Sequence, residues 1–195
     1  MTKKCLIVSG SPNNIGQTAF IIDYICKNFN GEVEVLNTFA KNGGKGVSSC
    51  IDCGGCLKRE FCIVQDEFCK LYKDDYEVLI VVSPIYQSNL PGPMINLINR
   101  FNFLYNNRIG LGIKHSFCQK QGTIILTGGG DPCKKLQGES NEDLPLRQAN
   151  YILKRMNAEI EDDNILLCLN TNDISVKDNI EFLNQIKNLI DKLNK

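Results

Sequence analysis

Four cysteines fall within one short stretch, Cys50-x-x-Cys53-x-x-Cys56 followed by Cys62. Ligands at two-residue gaps in a loop can turn their sulfurs towards one centre. A fourth thiolate shortly afterwards completes the ligand set of a small iron–sulfur cluster. Gly54 and Gly55 stand between the second and third cysteines, where the backbone has to turn tightly and pass close to a cofactor. A structural zinc site is the first rival. Four-cysteine zinc sites usually pair two Cys-x-x-Cys knuckles across a longer spacer, whereas here three ligands crowd into seven residues. The bacterial ferredoxin run ends in Cys-Pro, and Cys62 is followed by Ile63, so the match is one of spacing. A thioredoxin-type use of Cys53-Gly54-Gly55-Cys56 lacks the strand that should precede it. Zinc, or thiols that hold no metal, stay open as alternatives.

Three loops carry a second kind of chemistry. Ser9-Gly10-Ser11-Pro12-Asn13-Asn14-Ile15-Gly16-Gln17-Thr18 joins an apolar run to a helical pattern. Ser11, Gln17 and Thr18 can donate hydrogen bonds, and the helix start adds free N–H groups and a favourable dipole. Such a site holds a phosphate without a positive side chain. It is not the Gly-x-Gly-x-x-Gly fingerprint, because the glycines are only Gly10 and Gly16, and Gly43-Gly44-Lys45-Gly46 is no nucleotide P-loop. A capped turn is the plainer reading of this loop alone. Ser83-Pro84-Ile85-Tyr86-Gln87-Ser88-Asn89-Leu90-Pro91-Gly92 offers an aromatic face, amides and rigid prolines, as a planar ring requires. Thr127-Gly128-Gly129-Gly130 would let a flat cofactor approach the backbone.

These segments need elements to position them. Short apolar runs predict strands at Cys5–Val8, Val78–Val82, Thr123–Leu126 and Ile165–Leu169, and the alternation of Glu32–Val35 predicts a further strand on an edge. Helical periodicity places Ala19, Ile22, Cys26 and Phe29 on one inward face. Met94, Leu97, Ile98 and Phe101 make a second such face, and Leu146, Ala149, Ile152, Leu153 and Met156 a third. Ile180, Leu183, Ile186, Ile190 and Leu193 make the last. Strands alternating with amphipathic helices predict an α/β fold with a mainly parallel, doubly covered sheet. The cysteine-rich stretch, about residues 38–66, interrupts that rhythm as a long functional loop. Loops after strands emerge at the carboxyl end of such a sheet, which predicts cysteines and ligand crevice on one side of the molecule.

The 195 residues contain no repeat and suggest one domain, 1–195. The formal net charge of zero, with scattered basic residues, argues against nucleic acid and acidic membrane surfaces. The apolar run after Met1-Thr2-Lys3-Lys4 is too short for a secretory signal or a membrane span, so a cytoplasmic protein is expected. In a reducing compartment, ten cysteines point to metal or redox chemistry more than to disulfides. Cys5, Cys26 and Cys168 read as small core fillers, while Cys69 and Cys118 carry no pattern. Cys133 follows the third loop, His115 has no evident partner, and Arg100 is expected in a salt bridge or subunit contact.

The first two loops resemble the flavin-binding loops of the flavodoxin-like NADPH-dependent FMN reductase superfamily. With Cys50, Cys53, Cys56 and Cys62 between them, the chain is most similar to the iron–sulfur flavoproteins within it. The likeness covers about the first 130 residues. It implies a five-stranded doubly wound sheet of order 2-1-3-4-5, FMN at its switch point, and a [4Fe-4S] cluster on the four cysteines. Carried over by position, Ser9, Ser11, Asn13, Gln17 and Thr18 surround the FMN phosphate. Pro84, Ile85 and Tyr86 line the ring, and Thr127, Gly128 and Gly129 lie on its pyrimidine side. The family often has arginine where this chain has Asn13. The resemblance also implies electrons from ferredoxin or NAD(P)H to a small oxidant. A homodimer or homotetramer is implied as well, in which the cluster of one subunit approaches the flavin of another. An FMN or quinone reductase without a cluster, and a non-enzymatic electron carrier, are the alternatives.

Overall fold

β1 (Lys4–Ser9), β2 (Glu32–Asn37), β3 (Val78–Pro84) and β4 (Lys120–Thr127) are the first four strands along the chain. The computed structural model describes residues 2–41, 43–130, 135–136 and 139–195. A small antiparallel strand pair, β5 (Lys135–Leu136) and β6 (Glu139–Ser140), precedes β7 (Ala158–Cys168). The five long strands form one parallel sheet of order β2-β1-β3-β4-β7, as expected, and β2 is an edge. Alternation within each strand divides its side chains between two cores. Leu6, Val8, Leu79 and Val81 face one, and Cys5, Ile7, Val78, Ile80 and Val82 the other.

The helices cover both faces. α1 (Gln17–Asn28) and α5 (Ile180–Leu193) pack on the second core. α2 (Gly92–Arg100) and α4 (Asp143–Arg155) pack on the first. α1 buries Thr18, Ile21 and Ile25, with Phe29 buried just beyond its end. The expected face through Ala19, Ile22 and Cys26 is therefore rotated by one position, about 100°, and Cys26 is exposed rather than a core filler. In α5 the inward residues include Phe182 and Leu189, while Ile180 is 74% exposed. Cys5 and Cys168 are buried as anticipated, and burial raises both thiol pKa values.

Two elements were not legible in advance. α3 (Asn102–Leu111) follows α2 after a single residue, and its mixed polarity hides it, since only Phe103 and Asn107 are buried. β7 starts at Ala158, seven residues before the expected Ile165. The charged segment 159–163 belongs to this strand because β7 is the other edge of the sheet, where acidic side chains discourage further pairing. Asp131 and Cys133 lie outside the described residues.

Candidate functional site

At the carboxyl ends of β1, β3, β4 and β7 the loops enclose a cavity of about 240 Å³. Its walls are residues 11–13 and 15–18, Pro84, Ile85, Tyr86, Thr127, Gly128, Gly129, Thr171 and Asn172. Of the residues expected to hold a flavin, all except Ser9 line it. Ser9 is fully buried, and its Oγ accepts from Ser11 N at 3.4 Å, so it shapes the loop from below. A second cavity of about 480 Å³ shares Ile85, Tyr86 and Gly128 with the first. Both sizes fall within or near the range of small-molecule sites, about 300–1,000 Å³.

The first loop ends at Gly16, whose φ of +129° favours glycine, and no side chain caps α1 there. Nothing lies within 4 Å of a Cβ built on Gly16, so the helix terminus opens onto free space. Thr18 and Thr127, both buried, are joined Oγ1 to Oγ1 at 3.0 Å and tie the first loop to the third. Gln17 Oε1 accepts from Val176 N at 2.8 Å, and Ser11 Oγ donates to Asn13 O at 2.9 Å. Of the three expected donors, Ser11 thus already spends its hydroxyl proton in shaping the loop, while Gln17 is engaged there through its acceptor oxygen. Lys41 Nζ donates to Ser11 O at 3.1 Å and Asn13 O at 3.4 Å, and partial burial lowers its pKa. This cation beside the loop was missed, although its position just after β2, the neighbour of β1, was the available signal.

In the middle loop, Tyr86 and Asn89 exchange backbone bonds at 2.9 and 3.0 Å around Gln87 and Ser88, both at positive φ. That tight turn leaves Tyr86 half-exposed at the cavity mouth. In the third loop, Asn172 Nδ2 donates to Gly129 O at 3.0 Å, and a Cβ on Gly129 would meet the Asn172 amide at 2.6 Å. The space above Gly129 is therefore taken partly by the chain's own side chain. Thr171 and Asn172, beyond the last strand, were not foreseen because they carry no motif.

The cysteine loop forms a separate centre. Cys50, Cys53, Cys56 and Cys62 all line one small cavity of about 20 Å³, with Gly54, Ile63, Arg100, Phe103 and Asn106 among its walls. Gly54 has φ +67°, and Gly55 packs against Ile63, whose side chain a Cβ would meet at 2.8 Å. Asn106 Nδ2 donates to Cys56 Sγ at 3.1 Å. The buried Asn107 Nδ2 donates to Cys56 O at 2.5 Å and Arg59 O at 2.8 Å, while its Oδ1 meets His115 Nε2 at 2.6 Å. His115 thus has a partner, contrary to expectation, and its ring also packs near Phe61, Phe103 and Phe117. Among the described residues, no group of three or more His, Cys, Asp or Glu side chains stands at metal-holding geometry.

The two centres are not on one side of the molecule. Ser49 Oγ bonds Asn96 in mid-α2, Arg100 at the far end of α2 bonds Ser48 and Val64, and Cys56 rests on α3. The loop therefore leaves the carboxyl edge and runs alongside α2, a span of about 13 Å. No residue lines both the cysteine cavity and the crevice.

α3 reaches the cysteine turn because of Gly110. A Cβ there would lie 2.2 Å from Leu57 O and 2.7 Å from Leu57 Cα. Gly110→Ala is expected to push the turn outward and to cost about 1–3 kcal/mol. Urea unfolding followed by circular dichroism checks this, and an unchanged midpoint would refute the contact.

The family model described as NADPH-dependent FMN reductase matches residues 3–155. The chain belongs to that family. An iron–sulfur flavoprotein from Archaeoglobus fulgidus is 26% identical over 143 residues, 71% of this chain and 60% of that protein. An iron–sulfur flavoprotein from Methanosarcina thermophila is 28% identical over 75 residues, 34% of this chain and 39% of that one. The chain thus matches less than two thirds of either relative's length. Among solved structures, an azoreductase from Bacillus anthracis str. Sterne has a TM-score of 0.61 at 11% identity, with 98% of this chain and 99% of that one covered. An FMN-dependent NADH-azoreductase from Bacillus anthracis str. Ames Ancestor, in complex with FMN, has a TM-score of 0.61 at 12% identity, covering 99% and 100%. At such identities the likeness is one of fold. No helix of the described residues is long and apolar enough to cross a membrane.

Proposed function

We propose that this chain is a flavin-dependent oxidoreductase that binds FMN in the crevice and an iron–sulfur cluster on Cys50, Cys53, Cys56 and Cys62. Electrons from NAD(P)H or ferredoxin would pass to a small oxidant. The observation that carries the flavin reading is the cavity at the switch point, lined by every expected residue but Ser9. The uncapped N-terminus of α1 would receive the phosphate, with Thr18 held in place by Thr127. Pro84, Ile85 and Tyr86 would flank the ring, and Gly128 leaves room beside it. When bound, FMN supplies hydride and single-electron chemistry, and the protein's part is to bind and orient it.

The cysteine loop suits a sulfur-ligated group in two respects. All four thiols line one cavity. Two buried donors, Arg100 Nε on its wall and Tyr72 Oη nearby, have no hydrogen-bond partner among the described residues. A four-iron cluster on these cysteines would supply one-electron transfer. An NAD(P)H-dependent FMN or quinone reductase with zinc or no metal at the loop is the second reading, and its metal-free form is the one that agrees with the lack of metal-holding geometry among the described residues. A non-enzymatic electron carrier is the third.

Because the two centres lie along α2 from one another, approach between them falls to a second copy in a homodimer or homotetramer. Ile51, Tyr105 and Ile109, exposed by 70%, 63% and 61%, suit such a contact. A cytoplasmic location goes with this reading. Flavin, iron and acid-labile sulfide assayed on anaerobically purified protein test both cofactors. Flavin without iron would select the cluster-free reductase, and no flavin would end the proposal. Turnover with NAD(P)H and a quinone separates enzyme from carrier. Thr18→Ala removes the buried link to Thr127 and is expected to weaken FMN about tenfold, a loss of about 1.4 kcal/mol. Titration of the apoprotein with FMN measures it, and unchanged affinity would remove the phosphate assignment.

A further inference from the structure

Arg100 and Asp66 form the most buried ion pair among the described residues, with side chains 1% and 2% exposed and Arg100 Nη1 at 2.8 Å from Asp66 Oδ2. Neither belongs to the flavin crevice. Burying such a pair costs heavily in desolvation, a cost that partners for its other polar atoms offset. Those partners are the two flanks of the cysteine loop. Arg100 Nη1 donates to Ser48 O at 3.2 Å and Nη2 to Val64 O at 3.1 Å. Asp66 Oδ2 accepts from Ser48 N at 2.9 Å, and its Oδ1 from Phe68 N at 3.1 Å. The guanidinium also lies 4.7 Å from the Phe68 ring centre.

Ser48 and Val64 bracket all four cysteines. A planar fork with fixed donors can hold two carbonyls and a carboxylate at once, which an ammonium cannot do in the same geometry. Asn107 adds an inner tie at Cys56 O and Arg59 O. The same Arg100 side chain lines the cysteine cavity, and its Nε has no partner among the described residues.

We propose that Arg100, paired with Asp66, is the positioning residue of the cysteine loop: it pins both flanks through protein bonds alone, so the four thiols surround one cavity before any metal arrives. The inference does not depend on which metal, if any, the cysteines take. The loop is then prefolded, and its opening is limited by a buried pair instead of by ligand binding.

The test is cysteine alkylation, read residue by residue by mass spectrometry on full-length reduced protein held in chelator. Cys118, exposed, serves as the open reference, and Cys5 and Cys168, buried in the core, report unfolding of the whole chain. In Arg100→Ala the rate at Cys62 relative to Cys118 is expected to rise by about tenfold or more, with Cys5 and Cys168 still protected. Asp66→Asn should give a smaller rise in the same direction. Arg100→Lys, which restores the charge but not the fork, should fall between wild type and alanine. Unchanged Cys62 reactivity in both Arg100→Ala and Asp66→Asn would overturn the proposal. Loss of protection at Cys5 and Cys168 in step with Cys62 in both would also overturn it, since the pair would then hold the core and not the loop. Failure of the cluster reading leaves every one of these rates interpretable.

Discussion

Cys53→Ser is expected to leave the protein folded, with FMN bound, and to lower bound iron to about a tenth of wild type or less. Cys53 is exposed, on a loop whose backbone ties are at Ser48, Cys56, Arg59 and Val64, so the fold loses no buried contact there. A serine hydroxyl is a much poorer ligand than thiolate for iron in a cluster, and removing even outer partners of a metal site costs 10–100-fold in affinity by the usual measure, about 1.4–3 kcal/mol. The flavin should not respond, because no residue lines both cavities. Iron analysis beside the flavin absorbance of the same sample makes the comparison. Joint loss of iron and flavin would contradict two separate centres. Iron unchanged in the variant would remove Cys53 from the ligand set.

The largest stability effect is expected at Asp74. Lys120 opens β4 with its side chain 0% exposed, and its ammonium is held by Asp74 and by Cys118 O at 2.6 Å, over the rings of Tyr76 and Phe117. Asp74 also accepts from Cys118 N at 2.8 Å. Asp74→Ala leaves a buried cation without its counter-charge, a loss of about 3–5 kcal/mol. For a chain of this size that lowers Tm by about 6–20 °C. Alanine is also disfavoured at φ +50°, where asparagine and aspartate are better tolerated. Asp74→Asn should therefore lose clearly less than alanine does. Thermal unfolding followed by circular dichroism checks the series. A loss within about 0.5 kcal/mol for alanine would mean that Lys120 reaches water or another anion.

Most of the architecture was open to inspection in the sequence. Val78–Val82 and Cys5–Val8 are continuous apolar runs, and a strand covered on both faces can be little else. α3 was hidden because it is largely exposed, so its composition carries no stripe. The start of β7 was hidden because an edge strand tolerates charges that would be excluded from a central one. The inward face of α1 was misplaced by one residue, since four apolar residues in a row, 19–22, fit two adjacent stripes equally well.

The centres divide in the same way. Residue types and order alone determined which thiols could act together and which loops could receive a phosphate and a flat ring, because those properties follow from local spacing and from the ends of parallel strands. Tertiary structure decided everything that joins residues far apart in the chain. Lys41 meets the Ser11 loop, Asn107 holds Cys56, Arg100 binds Ser48 and Val64, and the cysteines lie along α2 away from the crevice. None of these contacts has a periodic or compositional signature. They arise because a buried polar group must find a partner wherever packing brings one, and that is fixed only once the sheet and its helices have closed around it.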